Sequence, residues 1–255
     1  MKVELVAFTN VVDDLDEPGW GLWGPEHVCN MAAKTCVSEE IPRISYIDDT
    51  YFFWEDEDLK SLKHALDSGH ESVAEHASFT FAVSGVSRAL THQLVRHRMA
   101  SYSQQSQRYV NPIPSDGLFR FVEPTSISRC TTLIDGVSKF PGQANYEYCQ
   151  LMYLIGRMYN QMIEAGIPEE DARYILPNAC TTNIVITMNA RELIHFCGLR
   201  RCTRAQWEIR ELADEMAKLV TKVAPTLGSY MVPKCERTGK CVERKSCGRI
   251  KEAEE

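Results

Sequence analysis

No apolar run in the sequence approaches the ~20 residues needed to cross a bilayer. The first residues, Met1-Lys2-Val3-Glu4-Leu5, lack the pattern of a secretory signal, so cytoplasmic residence is the expectation. There is no glycine-rich dinucleotide fingerprint and no phosphate-binding P-loop, which argues against a Rossmann-type nucleotide site. Internal repeats and low-complexity blocks are also missing. No cysteine falls between Val86 and Arg129, so that stretch has no thiol nucleophile. Nor does any carboxylate fall between Glu75 and Asp116, although the chain carries a net charge of -7.

What fills that gap is polar and basic. Arg96, His97, Arg98, Ser101, Ser103, Gln104, Gln105, Ser106, Gln107 and Arg108 crowd into one short stretch that ends at Tyr109. Guanidinium forks beside hydroxyls and amides suit a phosphorylated, hydrogen-bond-rich ligand. An acidic protein with a local basic patch points to a small anionic ligand rather than to nucleic acid in general. At 255 residues, 44% hydrophobic and 25% charged, the chain is long enough for a substantial core and ordinary for a soluble globular protein. Its ten cysteines are scattered, so mostly free thiols are expected in a reducing compartment.

The hydrophobic pattern predicts an early or edge strand over 1–9 and a helix over 25–36 with Pro25 in its first turn. A second helix over 56–67 stops near Gly69. A half-buried strand covers 78–83, and a helix from Val86 to Val95 delivers Arg96 at its end. The stretch 101–114 reads as an ordered loop and 118–122 as a strand. A long helix over 143–165 puts Leu151, Leu154, Ile155, Met158 and Met162 on one face, read as core. A short helix begins at 166–170 and ends at Pro177. A strand covers 180–188. Asn189 caps a helix reaching about Arg200, with Glu192 completing a capping-box pattern. A last helix spans roughly 204–223 and stops at Pro225.

Arg96-His97-Arg98, seven residues, then Ser106 resembles the signature of the flavin-dependent thymidylate synthases. The resemblance continues through His70-Glu71-Ser72, Glu75-His76 and Phe79-Thr80-Phe81. Downstream it continues through Arg173 to Pro177, Asn189-Ala190-Arg191, Leu199-Arg200 and Ala205 to Glu208. It implies an α+β fold with a mostly antiparallel central sheet flanked by helices and no Rossmann domain. It also implies one catalytic domain over 1–233, followed by a charged, cysteine-containing tail over 234–255. The implied activity is methylation of dUMP to dTMP, with 5,10-methylenetetrahydrofolate giving the carbon and NADPH-reduced FAD the hydride. The implied assembly is a homotetramer with sites shared between subunits.

Carried over by position, the resemblance implies FAD contacts from Ser72, Arg96, His97, Arg98, Gln104, Asn189, Arg191 and His195. It implies dUMP contacts from Gln93, Leu94, Val95, Arg96, Gln104, Gln105, Ser106, Gln107, Arg108, Arg173 and Arg200. Arg200 is the expected catalytic group, set against the uracil ring. Gln104 stands where many relatives have glutamate, and His195 where they often have asparagine, which makes flavin binding a candidate for pH dependence.

Helical geometry bears independently on a second polar cluster, Arg173, Asn189, Arg191, His195 and Arg200. Asn189 and Arg200 return to within ~20° of each other after ~1100° of turn, and share their stripe with Leu193 and Phe196. Arg191 and His195 project from another side. Either the ligand is extended, matching ~16 Å of helix rise, or neighbouring subunits share the helix. Two other classes remain to be discriminated. A zinc hydrolase would use His70, Glu71 and His76, but six residues place those histidines ~120° apart on a helix, and no metal is expected there. An RNA-binding module would use the arginines, against the net charge of -7. Cys235, Cys241 and Cys247 are separated by five residues each time, which is not the two-residue spacing of a zinc knuckle.

Overall fold

A computed structural model describes residues 1–10, 24–39, 59–113, 117–130 and 143–250. In chain order the elements are β1 (Lys2–Phe8), α1 (Pro25–Thr35), α2 (Lys60–Asp67), a 3-10 turn (Glu71–His76), β2 (Ser78–Ser87) and α3 (Arg88–Leu94). There follow β3 (Ala100–Gln104), α4 (Thr125–Ser128), α5 (Gln143–Glu164), α6 (Glu169–Ala172) and a second 3-10 turn (Arg173–Ile175). The chain continues through β4 (Thr181–Asn189), α7 (Ala190–Arg200), α8 (Trp207–Val223), α9 (Pro225–Ser229) and α10 (Lys234–Thr238). The strands form one antiparallel sheet in the order β1-β2-β4-β3, flanked by helices, so the α+β expectation holds. A Thr80–Thr187 hydroxyl pair at 2.9 Å and Gly85 N–H donating to Asn183 Oδ1 at 3.3 Å fix the register of β2 against β4. No described helix is long and apolar enough to cross a membrane.

The described chain divides into two compact units. The first comprises Met1–Lys2, Val83–Val95 and Ser103–Ile184. Its core is Ile113, Phe119, Met152, Tyr159, Ala172 and Cys180, with Phe121, Tyr148 and Ile155 packed alongside. Gly156 is needed where Phe119 meets α5, because a Cβ there would lie 2.7 Å from the Phe119 Cβ. The core face of α5 is thus Met152, Gly156 and Tyr159. Of the stripe expected to be core, Ile155 and Met162 pack against this cluster, whereas Leu151 and Leu154 are 52% exposed and Met158 is 46% exposed. Two stripes coexist on this helix, and the covered one combines a glycine and an aromatic ring that a Met/Leu pattern overlooks.

Three further corrections concern element bounds. Leu118–Val122 is not a strand. It makes one isolated bridge, Phe121 to Cys180, flanked by Val122 N–H to Ala179 O at 2.8 Å, and Pro124 follows soon after. The stretch read as a loop from Ser101 is strand β3 as far as Gln104. Its polar residues hid the strand, because its burial alternates without an apolar face. In addition α3 starts only at Arg88; Val86 and Ser87 belong to β2, and the Ser87 hydroxyl caps the helix by accepting from Leu90 N–H at 3.0 Å.

The second unit comprises Val3–Ala82, Arg96–Tyr102 and the residues from Val185 onward. Helix α8 buries Ile209, Leu212, Ala213, Met216 and Val220. It begins at Trp207, capped by the Gln206 amide oxygen. Pro225 ends α8 as expected and also opens α9, where a missing N–H costs nothing. Two buried polar side chains tie helices together: Glu26 Oε1 accepts from Leu227 N–H and Asn30 Oδ1 from Leu62 N–H, both at 3.0 Å. The part of the expected second helix before residue 59 lies outside the described residues.

Candidate functional site

Asn189 is the N-cap of α7, its Oδ1 accepting from Glu192 N–H at 2.9 Å. The reciprocal half of a capping box is replaced by something else. Glu192 Oε1 takes a hydrogen bond from His97 Nδ1 at 3.0 Å. Arg200, at the other end of α7, donates through Nε to His97 Nε2 at 3.0 Å. The three groups therefore form a relay, Arg200 to His97 to Glu192. His97 is 4% exposed, and its ring stands edge-on to Phe196 at 4.9 Å. Tyr102 O–H closes the turn by donating to the His97 carbonyl at 2.8 Å.

The electrostatics follow from this burial. Desolvation lowers the His97 pKa below its ordinary value, and Arg200 and His195 add to the lowering, while the bond to Glu192 opposes it. Burial also lowers the pKa of the Arg200 guanidinium. Since Arg200 Nε can only donate, His97 Nε2 must accept, which places the ring proton on Nδ1. His97 is thus neutral with one tautomer selected. The ligand atoms of His97, Glu192 and His195 lie within 4.8 Å of one another, which is metal-like spacing. A guanidinium already holds Nε2, however, and Nδ1 faces Glu192, so the trio reads as a hydrogen-bond relay rather than a cation site.

The remaining expected flavin residues sit in different circumstances. Arg191 pairs with Glu75, both about half exposed. Ser72 is exposed on the first 3-10 turn, and Arg96 and Arg98 are exposed. His195 is exposed, its ring 5.8 Å from that of His97. Glu71 pairs with Arg237 at 2.7 Å.

In the first unit, Gln104 Nε2 donates to Thr91 Oγ1 at 3.2 Å and to Thr182 Oγ1 at 3.3 Å. Gln105 N–H bonds Asn183 O at 2.9 Å, and Gln107 Nε2 approaches Cys180 Sγ at 3.7 Å. The Ser106 hydroxyl accepts from Arg108 N–H at 3.1 Å. Arg108 donates to its neighbour Tyr109 O–H at 2.9 Å, and both side chains are exposed. Arg173 donates through Nε only to Glu170 O, at 3.0 Å. Gln93 is half-buried, Leu94 buried and Val95 exposed. Neither Arg108 nor Arg173 has a carboxylate partner among the described residues.

The thiols of Cys197 on α7 and Cys180 just before β4 are not activated. Burial pushes Cys197 up to about 12 and raises Cys180 as well. Both are small buried hydrophobes rather than nucleophiles. Sequence reasoning had placed Glu192 only in a capping pattern. Nothing local announces its partner, which lies 95 residues away.

Comparison with known proteins gives the family. The family model described as "Thymidylate synthase complementing protein" matches residues 21–226. A flavin-dependent thymidylate synthase of Geobacter sulfurreducens is 45% identical over 234 residues, covering 89% of this chain and 91% of that protein. One from Clostridium tetani is 43% identical over 237 residues, covering 89% and 90%. One from Sulfolobus acidocaldarius is 44% identical over 239 residues, covering 92% and 78%. The relay on α7 and the Arg-His-Arg stretch therefore lie in a chain that belongs to the flavin-dependent thymidylate synthase family.

Proposed function

We propose that this enzyme methylates dUMP to dTMP, taking the carbon from 5,10-methylenetetrahydrofolate and the hydride from FAD reduced by NADPH. The observation that carries the reading is the relay ending at Arg200, a half-buried cation held in one orientation by a neutral histidine. The donor set suits a flavin dinucleotide. Arg96 and Arg98 are exposed and have no carboxylate partner among the described residues, as a pyrophosphate requires. Ser72, Gln104, Asn189, Arg191 and His195 complete the residues that would hold it. The bound flavin would supply hydride chemistry that no side chain can.

The chain's own residues bind, orient and polarise. Gln93, Leu94, Val95, Arg96 and the run from Gln104 to Arg108 would hold dUMP, with Arg173 on its phosphate. Arg200 would face N3 and O4 of the uracil, where negative charge grows as C5 attacks the one-carbon donor. A fixed cation there makes C5 nucleophilic without a cysteine adduct, in keeping with the inert thiols nearby. His97 is buried with both ring nitrogens engaged, so it acts as a positioning residue for Arg200. A homotetramer with sites shared between subunits accommodates the two sets of residues.

The test is direct. Purified protein should be yellow, absorbing near ~450 nm, and should form dTMP only when dUMP, the methylene folate and NADPH are all present. Colourless protein that forms no dTMP after incubation with FAD would sink the reading.

A further inference from the structure

Four of the ten cysteines meet at one place that the thymidylate reading does not use. Cys202, just past the end of α7, lines a cavity of about 60 Å³ together with Cys235 on α10 and with Cys241 and Cys247 from the segment that follows. All four are free thiols. The sequence shows three of them at an even spacing; the fold adds the fourth from 33 positions upstream of Cys235.

The segment carrying them is irregular and held by polar contacts. Beyond α10 the described residues 239–250 contain no helix or strand. Val242 is 71% exposed. The segment is tied down by polar contacts: Arg204 Nη2 donates to Lys245 O at 2.7 Å, and Arg249 Nη1 to Arg201 O at 3.4 Å. Small irregular segments of this kind are ordinarily stapled by a disulfide or a metal, and no disulfide is present among these thiols.

We infer that Cys202, Cys235, Cys241 and Cys247 ligate an iron–sulfur cluster of the four-iron type, which clamps the C-terminal segment onto the end of α7. Charge agrees: residues 234–250 carry six Lys and Arg against two Glu in a chain that is otherwise acidic. Four thiolates, each giving up its proton on binding, would sit among those cations. The choice of a cluster over a single zinc ion rests on size. Zinc–sulfur bonds of about 2.3 Å bring tetrahedral thiolates to about 3.8 Å from one another. Among the described residues no three of these sulfurs lie within 4.8 Å of one another, since the one trio that does is His97, Glu192 and His195. In a cuboidal cluster each thiolate binds a different iron, so the sulfurs stand farther apart. The cavity also has room for several atoms, since a water molecule takes about 10–15 Å³ on the same measure.

The experiment is metal and acid-labile sulfide analysis of the full-length chain purified without oxygen, with electron paramagnetic resonance after dithionite reduction. Flavin content is read in parallel as an independent sign of folding. Iron and sulfide should appear at about four each per chain. They should fall at least tenfold in Cys235→Ser/Cys241→Ser and stay unchanged in Cys36→Ser, an exposed thiol elsewhere. Should the double variant lose its flavin as well, Cys247→Ser alone removes the most exposed ligand and should still change the resonance spectrum. One zinc per chain, iron absent after anaerobic reconstitution with ferrous ion and sulfide, or iron that survives all these substitutions would overturn the assignment.

Discussion

Arg200 donates to His97 through Nε at 3.0 Å, and that single bond determines where the imidazole keeps its proton. With Nε2 accepting, Nδ1 must donate, and Glu192 is there to receive it. The carboxylate thus acts on the guanidinium through the ring, without touching it. Glu192→Gln tests this. A glutamine oxygen accepts as well as a carboxylate does, but its amide also donates, so the tautomer is no longer selected. One charge-assisted bond is worth about 1.5–3 kcal/mol, so kcat should fall about 10–100-fold while KM for dUMP changes little. Unchanged turnover would show that the carboxylate serves packing alone.

Arg200→Lys keeps the charge and loses the planar fork together with the Nε donor. The ammonium cannot both bond His97 and face two atoms of a uracil ring. Losing a donor aimed at developing charge costs on the order of 10²–10³ in kcat, and flavin per chain should stay the same. Turnover at the wild-type rate in this variant would remove Arg200 from the chemistry.

The buried relay also predicts a pH dependence with a definite sign. His97 has its pKa lowered by burial, with Arg200 and His195 adding to the effect and Glu192 opposing it. In the unfolded chain the ring takes a proton near the ordinary value of about 6.5. Above that value His97 is neutral in both states and contributes no slope. Below it the unfolded chain binds the proton first, so stability falls as pH falls, until the folded-state pKa is reached. Protonation of the folded ring would then turn Nε2 into a donor against Arg200. Thermal midpoints measured from pH 7.5 to 5, a window spanning that value, should decline more steeply for wild type than for His97→Gln. Parallel slopes would clear His97 of responsibility.

Much of this was legible because it is local. Strand β2 shows its alternation within six residues, and the cap of α7 lies three residues from the N–H it serves. Arg96-His97-Arg98 and Ser106 are a linear signature, so the family could be read before any fold. What stayed hidden depends on distant partners. Glu192 looks like a capping residue until His97 arrives from 95 positions away. Leu118–Val122 has strand-like composition, but only one residue of it finds a bridge. The Leu/Met stripe of α5 has correct helical spacing, yet Phe119 settles against the neighbouring face, at a glycine, and of the stripe only Ile155 and Met162 reach that core.

Asn189 is proposed to serve two ends at once, and they can be separated. Its Oδ1 is committed to the helix cap, which leaves the amide nitrogen for a ligand. Asn189→Asp keeps the acceptor and removes the donor, so the thermal midpoint of flavin-free protein should hold while flavin binds less tightly. Asn189→Ala removes both. Loss of the cap costs about 1 kcal/mol, or roughly 2–4 °C in midpoint for a chain of this size. Equal flavin affinity in wild type and Asn189→Asp would limit Asn189 to the cap.

Gly156 separates propensity from packing. Replacing a mid-helix glycine by alanine normally stabilises by about 1 kcal/mol. Here the new Cβ would lie 2.7 Å from the Phe119 Cβ and 3.2 Å from its Cγ, and neither atom is the far end of a flexible chain. Relief requires α5 or the Phe119 backbone to shift, which costs about 1–3 kcal/mol in a packed core. The clash exceeds the propensity gain, so Gly156→Ala should lower the midpoint in chemical denaturation with its slope unchanged. In a Phe119→Ala background the ring carbon is gone but the Cβ remains, so the penalty should shrink without vanishing. A Gly156→Ala variant more stable than wild type would mean that Phe119 does not rest on this helix as described.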